Sequence, residues 1–126
     1  MRKEAESWWR QATAEIQTAK INLDADQYYA ASWFCQQAAE KALKALYIDR
    51  TGVLAPKIHD LVRLGHLVNA PVEIEPYLAT LNDVLAIVRY PELTDRAPVD
   101  VVTHDEATAH LEMAHKVLEW TSNRLQ

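Results

Sequence analysis

Tyr28-Tyr29-Ala30-Ala31-Ser32-Trp33-Phe34-Cys35-Gln36-Gln37-Ala38-Ala39-Glu40-Lys41-Ala42-Leu43-Lys44-Ala45 is the stretch that decides the fold. It contains no glycine or proline and is rich in strong helix formers, so it reads as the middle of a long helix over about 26–50. At about 100° per residue, Ala31, Ala38, Ala42 and Ala45 line one side, with Phe34 and Cys35 beside them. Alanines let a neighbouring helix approach closely, which makes this helix the expected central strut of a bundle. Gln36, Gln37, Glu40, Lys41 and Lys44 form a contiguous polar arc on the opposite side, bordered by Tyr29, Trp33, Leu43 and Tyr47. Glu40 and Lys44 stand in the favourable i,i+4 order. The arc reads either as an ordinary solvated face or as a polar seam turned toward a dimer partner or an anionic ligand.

The flanking sequence is helical too. All five prolines fall in or beside proposed connections, where they cost a helix little. Ahead of the strut, Ala5, Trp8, Trp9, Ala12, Ile16, Ala19 and Leu23 make one stripe of a helix over about 3–23. Asp24 and Asp26 offer caps for the second helix, Thr51-Gly52 ends it, and Arg50 suits its last turn. A shorter third helix is expected over about 58–69. A fourth, over about 75–89, carries Ile74, Tyr77, Leu78, Leu81, Leu85 and Val88 at helical spacing, with Pro76 in its first turn. The segment 90–102 reads as an ordered loop or short irregular turn. Thr103-His104-Asp105-Glu106 then fits a capping box, and Ala107, Leu111, Ala114, Leu118 and Leu125 line the last helix. The expected fold is all-α, an up-and-down bundle of three long and two shorter helices forming a single domain, 1–126.

Composition agrees with this reading. Of 126 residues, 49% are apolar and 25% charged, enough to build a core, and only two are glycine. The formal charge of −5 argues against general attraction to nucleic acid or anionic lipid. Cys35 stands alone, so neither an internal disulfide nor a thiol metal pair is available. Met1-Arg2-Lys3-Glu4 leads into an amphipathic stretch without a signal-peptide apolar block, and no run approaches the ~18 apolar residues of a membrane span. The expected location is the cytoplasm.

The strut also carries a family likeness. Tyr28 to Ala45 resembles the hallmark second helix of the HEPN family, in which a run of the type A-x-F-x-x-Q-Q-A-x-E-K-A-L-K-A is typical. Lys57-Ile58-His59-Asp60-Leu61 and Arg89-Tyr90-Pro91 match in order, and Trp8 with Ala12 fits an N-terminal Trp-x-x-x-A pattern. The resemblance implies a helical bundle that forms homodimers and, in many prokaryotic members, pairs with a small nucleotidyltransferase of the MNT type in toxin–antitoxin modules. It also implies a nucleotide-binding role. A large subset of the family are metal-independent ribonucleases using R-x4-6-H, a histidine to move a proton and an arginine to stabilise phosphate charge.

That motif is not matched by any arginine of the chain. Arg89 is followed at the required positions by Thr94, Asp95 and Arg96, and Arg63 by Val68, Asn69 and Ala70. Arg96 comes closest, with His104 one position beyond the pattern. The expectation is therefore a non-catalytic HEPN-type partner protein, a homodimer that associates with a nucleotidyltransferase and binds nucleotide. The alternative is a ribonuclease toxin acting on RNA through Arg96 and His104.

The nucleotide or phosphate candidates are His59, Asp60, Arg89, Tyr90, Lys41 and Lys44. Arg89 with Tyr90 would hold a phosphate on the guanidinium and stack a base on the ring, or else pin the loop through Glu92 or Asp95. His59 would cap or hold a loop, or serve a site. His110 is expected to pack, His66 and His115 to lie at the surface, and Cys35 to act as a small buried hydrophobe. Trp8, Trp9, Trp33 and Trp120 are expected in the core or a dimer interface. No cofactor is expected, no His, Asp or Glu set has metal spacing, and no glycine-rich phosphate loop is present.

Overall fold

The computed structural model describes residues 1–89, 92 and 95–126, with the Arg89 side chain outside that description. Within them the chain forms α1 (Lys3–Asp24), α2 (Tyr28–Thr51), α3 (Leu61–Leu67), α4 (Glu75–Arg89), α5 (Pro98–Val101) and α6 (His104–Ser122). The all-α bundle expected from the sequence is correct. α1, α2, α4 and α6 run up, down, up and down, and α2 touches every other helix.

The helix ends follow local chemistry. Asp24 and Asp26 do not cap α2: Asp24 is held by Lys20 at 2.8 Å, while Asp26 takes a left-handed φ of 60° to close the turn. Gly52 ends α2 at φ 71°, its N–H donating to the Ile48 carbonyl at 2.8 Å. The third helix is shorter than 58–69, because the Asp60 carboxylate accepts the amides of Val62 and Arg63 and so fixes its start at Leu61. Gly65 lies where α3 meets α4. A Cβ there would stand 2.5 Å from the Leu78 side chain. The expected irregular segment contains one helical turn, α5, entered through Pro98. Thr103 caps α6 as the sequence implies, accepting the Glu106 amide at 3.1 Å.

The core sits around α2. Ala12, Ile16 and Ala19 of α1 meet Ala38, Ala39, Ala42, Leu43 and Leu46, and Leu61, Leu64, Leu78, Leu81, Ala114 and Val117 close the other sides. Leu43 and Leu46 are fully buried, so truncating either to alanine costs about 2–5 kcal/mol. A smaller cluster of Ala31, Val102 and Ala107 seals the far end under Tyr28, Tyr29 and Ile87. Among the described residues no helix is long and apolar enough to cross a membrane.

Candidate functional site

The polar arc of α2 is not a solvated face. Gln36, Glu40 and Lys44 follow one another at i, i+4 and i+8, and are 0%, 4% and 5% exposed. They are covered because α1 lies over the arc through Trp8 and Glu15, and the segment before α3 crosses it through His59. Glu40 is the hub. Its carboxylate accepts from Lys44 Nζ at 3.2 Å, from Gln36 Nε2 at 3.4 Å and from His59 Nδ1 at 3.1 Å. Lys44 Nζ also stands 5.5 Å from the centre of the Trp8 ring. Beside this file, Lys41 donates to both oxygens of Glu15 at 2.8 Å and to Gln37 at 3.1 Å. Stripping water from each ion costs several kcal/mol, which these contacts repay only together. The arc therefore faces the chain's own α1 and loop, and each lysine is neutralised there by its own carboxylate.

His59 lies outside α3 and holds the loop to α2. With Nδ1 donating to Glu40, the half-exposed ring turns Nε2 outward, and that nitrogen has no protein partner among the described residues. Asp60 points elsewhere. Besides capping α3 it accepts from Asn82 Nδ2 at 2.9 Å, while Asn82 Oδ1 takes the Leu61 amide at 2.7 Å, clamping α3 to α4. The Asn82 amide beside it, with the backbone amides of Arg63 and Val62, holds the Asp60 carboxyl below the usual carboxylate range. The structure thus joins His59 and Lys44 through Glu40 and directs Lys41 to Glu15 and Asp60 to Asn82.

The remaining candidates occupy the other end of α4 and the segment after it. Arg89 is the last residue of α4; its side chain and Tyr90 lie outside the described residues. Arg96 donates to the Asp100 carbonyl, across the first turn of α5. His104, exposed at the start of α6, contacts Asp105 at 3.2 Å and meets the Tyr28 ring edge-on at 5.4 Å. His66 pairs with Glu75 at 3.3 Å on the surface. Cys35 is fully buried, and burial pushes its thiol up to about 12. Among the described residues no group of three His, Cys, Asp or Glu side chains is placed to hold a metal ion.

Two features escape the sequence reading. Glu15 occupies the apolar stripe of α1, one residue before Ile16, and its misplaced charge is the signal that a buried partner waits for it. Ser32 and His110 form the other: Ser32 Oγ lies 2.8 Å from His110 Nδ1, joining α2 to α6 inside the bundle. His110 packs as expected, but nothing in the spacing foretells Ser32 as its partner. Outside, Tyr29, Ala30, Trp33, Phe34 and Val88 line an apolar cleft of about 270 Å³, open between α2 and the end of α4.

Four longer helices in an up-and-down bundle, with a Gln–Glu–Lys file of the central helix buried against the His59-Asp60 loop, define an all-α helical-bundle domain. The chain belongs to the HEPN domain family, whose model matches residues 5–125. It is similar to the crystal structure of TT1696 from Thermus thermophilus, with a TM-score of 0.90 and 26% identity over 98% of this chain and 100% of that one. It is similar also to ST0689, an archaeal HEPN homologue, with a TM-score of 0.84 and 27% identity over 100% of both chains. No curated protein matches the chain.

Proposed function

We propose that the chain is a non-catalytic HEPN-type partner protein of a toxin–antitoxin-like module. It works as a homodimer that associates with a small MNT-type nucleotidyltransferase, and it takes nucleotide only as an accessory ligand. The observation that carries this reading is how the charged candidates are spent. Lys41 and Lys44 each lie on a carboxylate of the same fold, and His59 leans on Glu40, so this cluster offers a phosphate no surplus cation. Among the described residues the aromatic cleft at Tyr29, Trp33, Phe34 and Val88 is open, and aromatic anchors of this kind carry much of the energy in protein interfaces.

Co-expression with a small nucleotidyltransferase encoded beside the gene, followed by size-exclusion chromatography with light scattering, tests the proposal. A dimer that co-elutes with the enzyme is expected, and Trp33→Ala should weaken association about 30-fold, corresponding to ~2 kcal/mol for an interface anchor. Separate elution of the two proteins overturns the reading. Calorimetry with ATP decides the nucleotide arm, which no heat at millimolar ligand removes. Metal-free cleavage of RNA that is lost in His104→Ala would replace the proposal with the ribonuclease alternative.

A further inference from the structure

The Ser32–His110 pair lies apart from the Glu40 file and has no part in the function proposed above. Ser32 is fully buried and His110 nearly so, at 9% exposure. The serine hydroxyl has no other partner among the described residues, so it donates to Nδ1, and the neutral ring carries its proton on Nε2. Nε2 makes no hydrogen bond within the described residues, yet it is not among their fully buried unpartnered atoms, so it keeps a narrow path to solvent. α2 faces the ring with uncharged Ser32. Among the described residues, the charges that act on it are Glu106, one turn earlier on α6, and Asp83 of α4. Both of those side chains reach the surface.

We propose that His110 is a proton-operated latch on the seam between α2 and α6, tying the helices through Ser32 when neutral and releasing them toward Asp83 and Glu106 when protonated. A proton arriving at Nε2 turns both ring nitrogens into donors. Nδ1 can then only donate, so Ser32 must switch from donor to acceptor, and its own hydroxyl proton is left without an acceptor among the described residues. Among the described residues the buried positive charge has no carboxylate inside the seam. Its attraction to Asp83 and Glu106 draws the ring outward, and the gap opens beside Ala31, Val102 and Ala107, the small cluster that closes this end of the bundle. Burial holds the imidazole below its ordinary value of 6.5, outweighing the two carboxylates that act the other way. The sign follows from that depression. Above about 6.5 neither the folded nor the unfolded chain protonates the ring, and the latch contributes in full. As pH falls through that value toward the folded one, the open form takes the proton first and the seam weakens.

Amide hydrogen exchange, corrected for intrinsic rates, over segments 29–36 and 106–112 at pH 7.5 and 5.5 tests the latch. The corrected opening should rise up to about tenfold at the lower pH, the ceiling that one proton at an ordinary imidazole sets over this span. His110→Gln, whose amide oxygen still accepts from Ser32 and never titrates, should remove the pH dependence. Asp83→Asn should move the ring's titration, followed by NMR, to lower pH. Ser32→Ala, which keeps the imidazole but cuts the link, should leave the seam fast at both pH values, and it serves if His110→Gln does not fold. Equal corrected rates at the two pH values in the unmodified protein, or a pH dependence that survives in His110→Gln, overturn the proposal.

Discussion

Replacing Glu40 with leucine isolates what the buried file contributes. Among the described residues, the substitution removes the only carboxylate that Lys44 contacts and leaves an ammonium group whose side chain is 6% exposed. It also takes the acceptor from His59 Nδ1 and one of two acceptors from Gln36 Nε2, which keeps the His59 carbonyl. Breaking one partner of a buried ion pair costs about 3–5 kcal/mol, a large share of the ~5–15 kcal/mol that a domain of this size has in total. With a urea slope of about 2 kcal/mol/M, the midpoint should fall by roughly 1.5–2.5 M. Glu40→Leu combined with Lys44→Met removes both charges and keeps the volume apolar, so it should recover most of the loss. Equilibrium urea unfolding of the parent, both single variants and the double variant, followed by circular dichroism, gives the coupling energy directly. Single variants within about 1 kcal/mol of the parent, or a double variant that loses the sum of both, would mean the ions behave as an exposed pair, and the reasoning fails.

Asp60→Ala removes the α3 cap and the clamp to Asn82 together and should cost about 1–2 kcal/mol in the same assay, with Asp60→Asn restoring part of it. Because the folded Asp60 carboxyl is held low, its contribution is present above the unfolded value and is lost as pH falls through the folded one; a parent–variant difference that is flat from about pH 6 to about pH 2 would refute this. Cys35, with its thiol pushed up to about 12, should resist iodoacetamide at about pH 8 in the folded protein and react once urea unfolds it, as mass spectrometry will register. Labelling at the rate of a free thiol in buffer alone would place Cys35 outside the core.

The helices were legible because their signals are local. The Ala5 to Leu23 stripe, Gly52 after Thr51, the Thr103 cap and the span 75–89 each depend on residues within a few turns of one another, and each stands in the structure where the sequence puts it. The polar arc was legible as a list of residues and illegible as a surface. Helical spacing groups Gln36, Glu40 and Lys44, but only the docking of α1 and the loop decides which side of the wall they stand on. Glu15 belongs to a helix whose partner lies 26 residues away, and Ser32 finds His110 across 78, distances over which periodicity carries no information. Asp60 stands among the phosphate candidates of the sequence, and in the structure its carboxylate caps α3. A short acid at that point satisfies two orphan amides regardless of what binds nearby.

The alanines of the first two helices repeat at a spacing that leaves their alignment open. Ala5, Ala12 and Ala19 recur every seven residues on α1, and Ala31, Ala38 and Ala45 do so on α2. Sliding one helix past the other by a heptad, about 10.5 Å, would bring the same alanine spacing back into step. Such a slip would part Glu15 from Lys41 and Trp8 from Lys44, and would leave the two largely covered charges of Glu15 and Lys41 without each other, while Lys44 keeps Glu40 on its own helix. The ions thus act as teeth on an otherwise smooth rail, and they make one alignment of the hairpin far better than its neighbours.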